Sequence, residues 1–166
     1  MMTSTAVSTS IKPCIVFKER CAEALDLYVS VFPNSKVLNT VRAEESIGPI
    51  AKGQVMNATF QLDGREYTAF DGGPTFSFSE GFSLMVLCET QEEVDRCWAK
   101  LTANGGEEGP CGWLKDPFGL SWQIVPSALG QMLTDHESGN AAAATEAMLK
   151  MKKLDIAELQ RAYNSR

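Results

Sequence analysis

The chain is predicted to be an α+β protein built from two βαβββ modules followed by a C-terminal helical tail. Three observations carry that prediction. An order of strand, helix and three strands is read twice along the chain. Asp63-Gly64, set between two strand-like runs, is a strong two-residue hairpin signal. The run from Gly112 to Pro126 places turn chemistry, Asp116-Pro117-Phe118-Gly119, directly before a strand of strict alternation. The boundaries that follow are a leader over 1–10, modules over 11–74 and 75–126, and a tail over 127–166.

In the first module, Ile11 to Phe17 is rich in β-branched and aromatic residues and reads as a strand. Cys21 to Phe32 reads as a helix, with Ala22, Leu25, Val29 and Phe32 at helical spacing and Pro33-Asn34-Ser35 stopping it. Lys36 to Ala43, Gln54 to Leu62 and Glu66 to Phe70 are the three following strands. In the second, Phe82 to Cys88 is a strand and Gln91 to Ala103 a helix with Glu92 and Glu93 near its positive end. Asn104-Gly105-Gly106 ends it through left-handed backbone. Strands then occupy Gly109 to Val125. An offset of sixty-nine residues superimposes Glu23 on Glu92, Cys14 on Ser83 and Phe32 on Leu101, a weak internal duplication resting on element order. In the tail, Ala141 to Leu154 reads as helix, and Asp155 supplies an N-cap for a last helix ending at Tyr163.

Composition narrows the function classes. With 15 basic and 21 acidic residues, the net charge of −6 argues against nucleic acid and anionic membranes as partners. No run approaches the roughly 20 apolar residues that span a bilayer. Met1 to Ser10 is polar, without the basic start or apolar stretch of a signal peptide, and is expected to be disordered. Cys14, Cys21, Cys88, Cys97 and Cys111 are odd in number and include no CxxC pair, which suits buried, reduced thiols in a cytoplasmic protein.

The alternation after the Asp-Pro-Phe-Gly turn places Leu120, Trp122 and Ile124 on one side and Ser121, Gln123 and Val125 on the other. Gln123, polar in an apolar strand, is expected to line a cavity, and Trp113 could stack on a flat ligand. The single histidine, His136, sits in a polar stretch of the tail, so no Ser-His-Asp arrangement can be assembled around it. Cys14 is read as a small buried hydrophobe, Lys12 as solvated, and Asp71, before Gly72-Gly73, as a turn cap. Neither Gly72-Gly73 nor Gly105-Gly106 opens a helix, so no dinucleotide or S-adenosylmethionine turn is present.

The duplicated βαβββ order, Asp116-Pro117-Phe118-Gly119 before a last strand, and Phe70-Asp71-Gly72-Gly73-Pro74 resemble the vicinal oxygen chelate superfamily of glyoxalases, ring-cleaving dioxygenases and bleomycin-resistance proteins. Cys111 to Asp116, Ser121 to Pro126 and Met148 to Asp155 are similar to its PhnB-like branch, labelled demethylubiquinone methyltransferase-like. The likeness runs from Ile11 to Tyr163. It implies a half-open barrel with a deep cavity, and in metal-bearing relatives a divalent ion held by His or Glu on the first and last strands of each module. Those positions fall here on Lys12 or Cys14, Thr68 or Phe70, Ser83, and Gln123. None is a histidine or carboxylate, so no metal, no cofactor and no catalytic residue is assigned.

The reading is a glyoxalase/bleomycin-resistance-like protein, a cytoplasmic homodimer that binds a small ligand in a metal-free cavity lined by Lys12, Cys14, Thr68, Phe70, Ser83, Trp113 and Gln123. Two alternatives stay open. One is a metal-dependent lyase, isomerase or dioxygenase using Gln123, Asp71 and Cys14 as unconventional ligands. The other is an interaction module acting through the tail, which is expected to pack on the body or on a partner subunit.

Overall fold

The computed structural model describes residues 10–165, so the leader expected over 1–10 lies, but for its last residue, outside the described residues. The chain divides into two compact units, one ending at Phe76 and the other beginning at Ser77.

The first unit carries β1 (Cys14–Phe17), α1 (Cys21–Val31), β2 (Lys36–Arg42), β3 (Val55–Leu62) and β4 (Arg65–Asp71). They form an open four-stranded sheet in the order β1-β4-β3-β2. β1 runs parallel to β4, with Cys14 opposite Thr68, and the remaining pairs are antiparallel. Ile15, Phe17, Ala58, Phe60 and Ala69 are buried, as are Ala24, Leu25 and Tyr28 of α1. These residues make one strand face the core face. The other face bears Cys14, Val16, Thr59, Thr68 and Phe70 by strand alternation. Asp63 and Gly64 take φ of 47° and 76°, the left-handed pair that a two-residue hairpin requires.

The second unit repeats the plan with β5 (Leu84–Cys88), α2 (Gln91–Thr102), β6 (Glu107–Glu108), β7 (Trp113–Lys115) and β8 (Ser121–Pro126), in sheet order β5-β8-β7-β6. β5 is parallel to β8 and β7 antiparallel to it. α2 starts on a full capping box, Thr90 with Glu93. It ends where Asn104 and Gly105 turn left-handed, at φ of 56° and 105°. Leu114, Trp122 and Ile124 are buried with Val94, Cys97, Trp98 and Leu101 of α2. Ser83, Met85, Gln123 and Trp113 therefore stand on the opposite face. The offset of sixty-nine keeps strand facing, but the helix N-caps Arg20 and Thr90 are seventy apart, so the two helices start one residue out of step with it.

The tail packs within this second unit. It contains α3 (Leu129–Thr134), α4 (Ala141–Leu149) and α5 (Ile156–Tyr163). Leu129, Met132, Ala144, Leu154 and Leu159 form its own small core, against which Val125 of β8 packs. Two expectations are corrected. α3 was not anticipated, and the helix expected as far as Leu154 stops at Leu149. Met151 and Lys152 instead offer their carbonyls to the N–H groups of Cys111 and Gly112, at 2.8 and 2.7 Å. Gln91 fastens the next residues: its Nε2 donates to the Leu154 carbonyl at 3.1 Å and its Oε1 accepts from the Ile156 N–H at 2.9 Å. Asp155 caps α5 by accepting from the Glu158 N–H.

Between α3 and α4, the Asp135 carboxylate accepts from the N–H groups of Glu137 and Ser138 and from the Tyr163 hydroxyl, the last at 2.7 Å. These bonds, the Ser138 N–H first, hold its pKa down at about 2 against an ordinary 3.8. A carboxylate depressed on folding stabilises above its unfolded pKa, and that contribution disappears as pH falls from 3.8 through about 2. The expected result is a carbon-13 titration of the Asp135 carboxylate with a midpoint near 2. Ser138 amide protection should be lost over the same interval. A midpoint at the ordinary value contradicts the contact.

Candidate functional site

Each unit presents a sheet face turned away from its helix, and the candidate residues fall on these two faces. In the first unit, Cys14 and Thr68 are direct neighbours and Phe70 pairs with Val16 one step along. Lys12 precedes β1 and forms an ion pair with Glu66 of β4, rather than standing alone in solvent. Cys14 is exposed, not the buried hydrophobe expected, because strand alternation turns it opposite Ile15. Its thiol is free, as are those of the other four cysteines. Cys21, the first residue of α1, is buried, and burial pushes its thiol up to about 12, with the Asp71 charge adding to the effect. It is a packing residue and not a nucleophile at neutral pH.

Asp71 belongs to the opposite, buried face. Its Oδ1 accepts from the Cys21 N–H and its Oδ2 from the Val55 N–H, both at 2.8 Å. It thus supplies the carboxylate that the side chain of Arg20 cannot offer at the α1 N-terminus. The expected turn cap is replaced by a longer-range staple between β4, α1 and β3. Both oxygens point into the core, which removes Asp71 from any ligand set on the other face.

In the second unit, Met85, Gln123 and Trp113 lie side by side across β5, β8 and β7. The Gln123 amide donates to the Ser83 hydroxyl at 2.9 Å. Lys115, two residues from Trp113 on the same face, is paired with Glu80 at 2.6 Å. Behind this face, the turn before β8 is organised by one buried carboxylate. Asp116 accepts from the N–H groups of Phe118 and Leu120 through Oδ1 and from the Trp122 indole through Oδ2, at 2.9, 3.1 and 2.8 Å. Trp122 is accordingly a core anchor, while Trp113 stays half-buried on the candidate face. His136 lies in the tail, in a cleft of about 540 Å³ with Asn140 and Tyr163.

The superfamily resemblance implies a divalent ion, and the donors at the corresponding positions do not fit one. They are a thiol, a threonine hydroxyl, a serine hydroxyl and a carboxamide whose N–H is already directed at that serine. Hard divalent ions at such open sites need carboxylates or imidazoles. Among the described residues, no group of three or more His, Cys, Asp or Glu side chains is placed to hold a metal.

Two α+β units of this topology match the glyoxalase/bleomycin-resistance-like class of fold that the resemblance implies. Within that class, the chain belongs to the 3-demethylubiquinone-9 3-methyltransferase family, whose model matches residues 9–125. The PhnB protein of Bacillus cereus is 33% identical, with a TM-score of 0.64 over 71% of this chain and 99% of its own. Protein PA1353 of Pseudomonas aeruginosa is 21% identical, with a TM-score of 0.59 over 72% of this chain and 98% of its own. The fosfomycin resistance protein FosX of Listeria monocytogenes, whose structure holds Mn(II) and sulfate, shares the fold at 14% identity and a TM-score of 0.55, over 77% of this chain and 99% of its own. No curated protein matches. The family match stops at 125, so the likeness expected as far as Tyr163 is not carried by it in the tail.

Proposed function

We propose that this protein binds a small organic ligand on the sheet faces turned away from the helices, without a divalent ion. Gln123 carries the reading. It occupies the last-strand position where the resemblance implies a metal-ligating carboxylate, and its amide is engaged with Ser83, the position implied for a histidine. An amide and a hydroxyl bonded to each other form a neutral polar patch suited to hydrogen bonding, not to Lewis-acid chemistry. Beside it, Trp113 and Met85 offer apolar contact with few polar groups, the usual make-up of a small-molecule site, and in the first unit Phe70 and Thr68 lie on the corresponding face of their own sheet.

The test has two arms. Metal analysis of purified protein after chelator treatment is expected to give substoichiometric zinc, nickel, manganese and iron. Stoichiometric, chelator-resistant metal that is lost in Gln123→Ala overturns the reading. Nitrogen-15 spectra recorded with a mixed set of small-molecule fragments are expected to move Thr68, Phe70, Ser83, Trp113 or Gln123. Responses confined to the tail would equally overturn it.

The same reading makes the protein a cytoplasmic homodimer. Its five free thiols suit a reducing compartment. Edge strand β5 leaves Leu87 63% exposed, apolar surface that a second copy would cover. Light scattering at micromolar concentration should return twice the chain mass, and a monomer mass refutes the dimer. No helix among the described residues is long and apolar enough to cross a membrane.

A further inference from the structure

The polar atoms left without partners on the second unit's candidate face narrow the ligand to one chemical class. The chain has three tryptophans. The Trp98 indole N–H donates to Glu108 at 2.9 Å and that of Trp122 to Asp116 at 2.8 Å. The Trp113 indole N–H has no partner among the described residues, and it is not buried. Directly across the strand pair stands Gln123, whose Nε2 is directed at Ser83 and whose Oε1 likewise has no partner and is not buried. Residues opposed in this way have side chains about 5 Å apart. The row therefore shows a free donor beside a free acceptor, flanked by an indole surface and the Met85 thioether.

Ionic recognition is poorly served here. No member of the row is charged, and the cation nearest in sequence on the same face, Lys115, is held by Glu80 with Glu107 opposite it in the ladder. A charged ligand desolvated on this row would find no counter-ion, which is unfavourable. We propose that the row recognises a neutral, planar ligand carrying an amide-type edge, with a carbonyl oxygen accepting from the Trp113 indole and an N–H donating to Gln123 Oε1. This rests on the binding reading above and specifies its ligand.

The probes are three near-isosteres that differ in charge and in donor–acceptor pattern: benzamide, with one acceptor and one donor group, benzoate, with acceptors alone, and benzamidine, protonated and with donors alone. Each is titrated into nitrogen-15-labelled full-length protein while the three indole N–H resonances are followed, that of Trp113 being assigned by its disappearance in Trp113→Phe. The expected result is that benzamide moves the Trp113 indole resonance and leaves those of Trp98 and Trp122 in place. Its affinity should exceed that of either charged probe by about fivefold or more, the equivalent of one hydrogen bond. Gln123→Leu should weaken benzamide by a similar factor without altering the melting temperature, and Gln123→Glu should invert the preference toward benzamidine. Equal or tighter binding of benzoate or benzamidine to the unaltered protein overturns the ligand class. So does benzamide binding unaffected by both Gln123 variants, or silence of the Trp113 resonance with all three probes. In each of these cases a fragment that still moves Ser83 or Gln123 leaves the binding reading standing, and only an unresponsive face removes both.

Discussion

Asp116→Ala is expected to lower the unfolding free energy of the second unit by about 3–5 kcal/mol, the largest loss of any single polar substitution in this chain. The carboxylate is 2% exposed and accepts from two backbone N–H groups and one indole. Alanine leaves those donors facing apolar surroundings with no acceptor, so the desolvation cost of each is realised without its bond. Asp116→Asn keeps the oxygen that serves Phe118 and Leu120 but turns an NH₂ toward the Trp122 indole, and should cost about half as much. Combining Asp116→Asn with Trp122→Phe removes the donor-donor conflict, and its excess over the Trp122→Phe single variant should be under about 1 kcal/mol. Thermal melts suffice to check this, since a loss of about 4 kcal/mol in a chain of this size moves the midpoint on the order of 10 °C. A shift within a degree or two for Asp116→Ala would show that the turn is held by Pro117 and Gly119 alone.

The same residue shows where sequence reasoning reaches and where it ends. Asp-Pro-Phe-Gly is legible as a turn because Pro and Gly act through their own backbone angles, and Gly119 does adopt a φ of 90°. The alternation of β8 is legible for a similarly local reason: side chains in a strand alternate faces whatever their partners, so Trp122 and Ile124 inside and Gln123 outside follow from the order of residues. Asp63-Gly64 and the Asp155 cap belong with these. What escapes is whatever depends on a distant partner. Cys14 sits in an apolar stretch and reads as buried, yet its facing is set by the register with Thr68, fifty-four residues away. Asp71 before two glycines reads as a local cap, but its acceptors serve N–H groups fifty and sixteen residues away. β6 is hidden because its two residues are both glutamates, one held by the Trp98 indole. The short α3 is hidden by Gly130 and by its lack of a side-chain cap.

The candidate face is legible to the same depth. That Gln123 stands on a non-core face follows from the period-two patterning of β8, and Trp113 joins it there only through the pairing of β7 with β8. That they stand opposite each other, with one free donor and one free acceptor, depends on the register of β7 against β8 and on where the indoles of Trp98 and Trp122 find their partners. Lys12 illustrates the limit for charge: its partner Glu66 could not be named without the parallel pairing of β1 with β4.

Gly112→Ala is the second substitution with a large expected effect, and its consequence should be felt in the tail. Gly112 has a φ of 83°, in the region that costs an L-residue about 1–2 kcal/mol. A Cβ there would stand 2.7 Å from the Ile124 carbonyl oxygen and 3.1 Å from Leu154 Cδ1. Backbone of the central strand β8 cannot yield, so the tail must. The Gly112 N–H donates to Lys152 and the preceding Cys111 N–H to Met151, and Leu154 belongs to the tail core. Moving Leu154 away therefore disturbs both hydrogen bonds and the packing under α3, α4 and α5 at once. The expected loss is about 3 kcal/mol or more, with amide exchange accelerated across 127–165 and the amides of α1 and β3 unchanged. Cys111→Gly separates the two causes. Cys111 also has a positive φ, 55°, so glycine there relieves strain without adding a Cβ contact and should leave the tail protected. If Gly112→Ala loosened the whole chain evenly, or left tail exchange at its original rate, the turn at Cys111-Gly112 would not be what holds the tail to its unit.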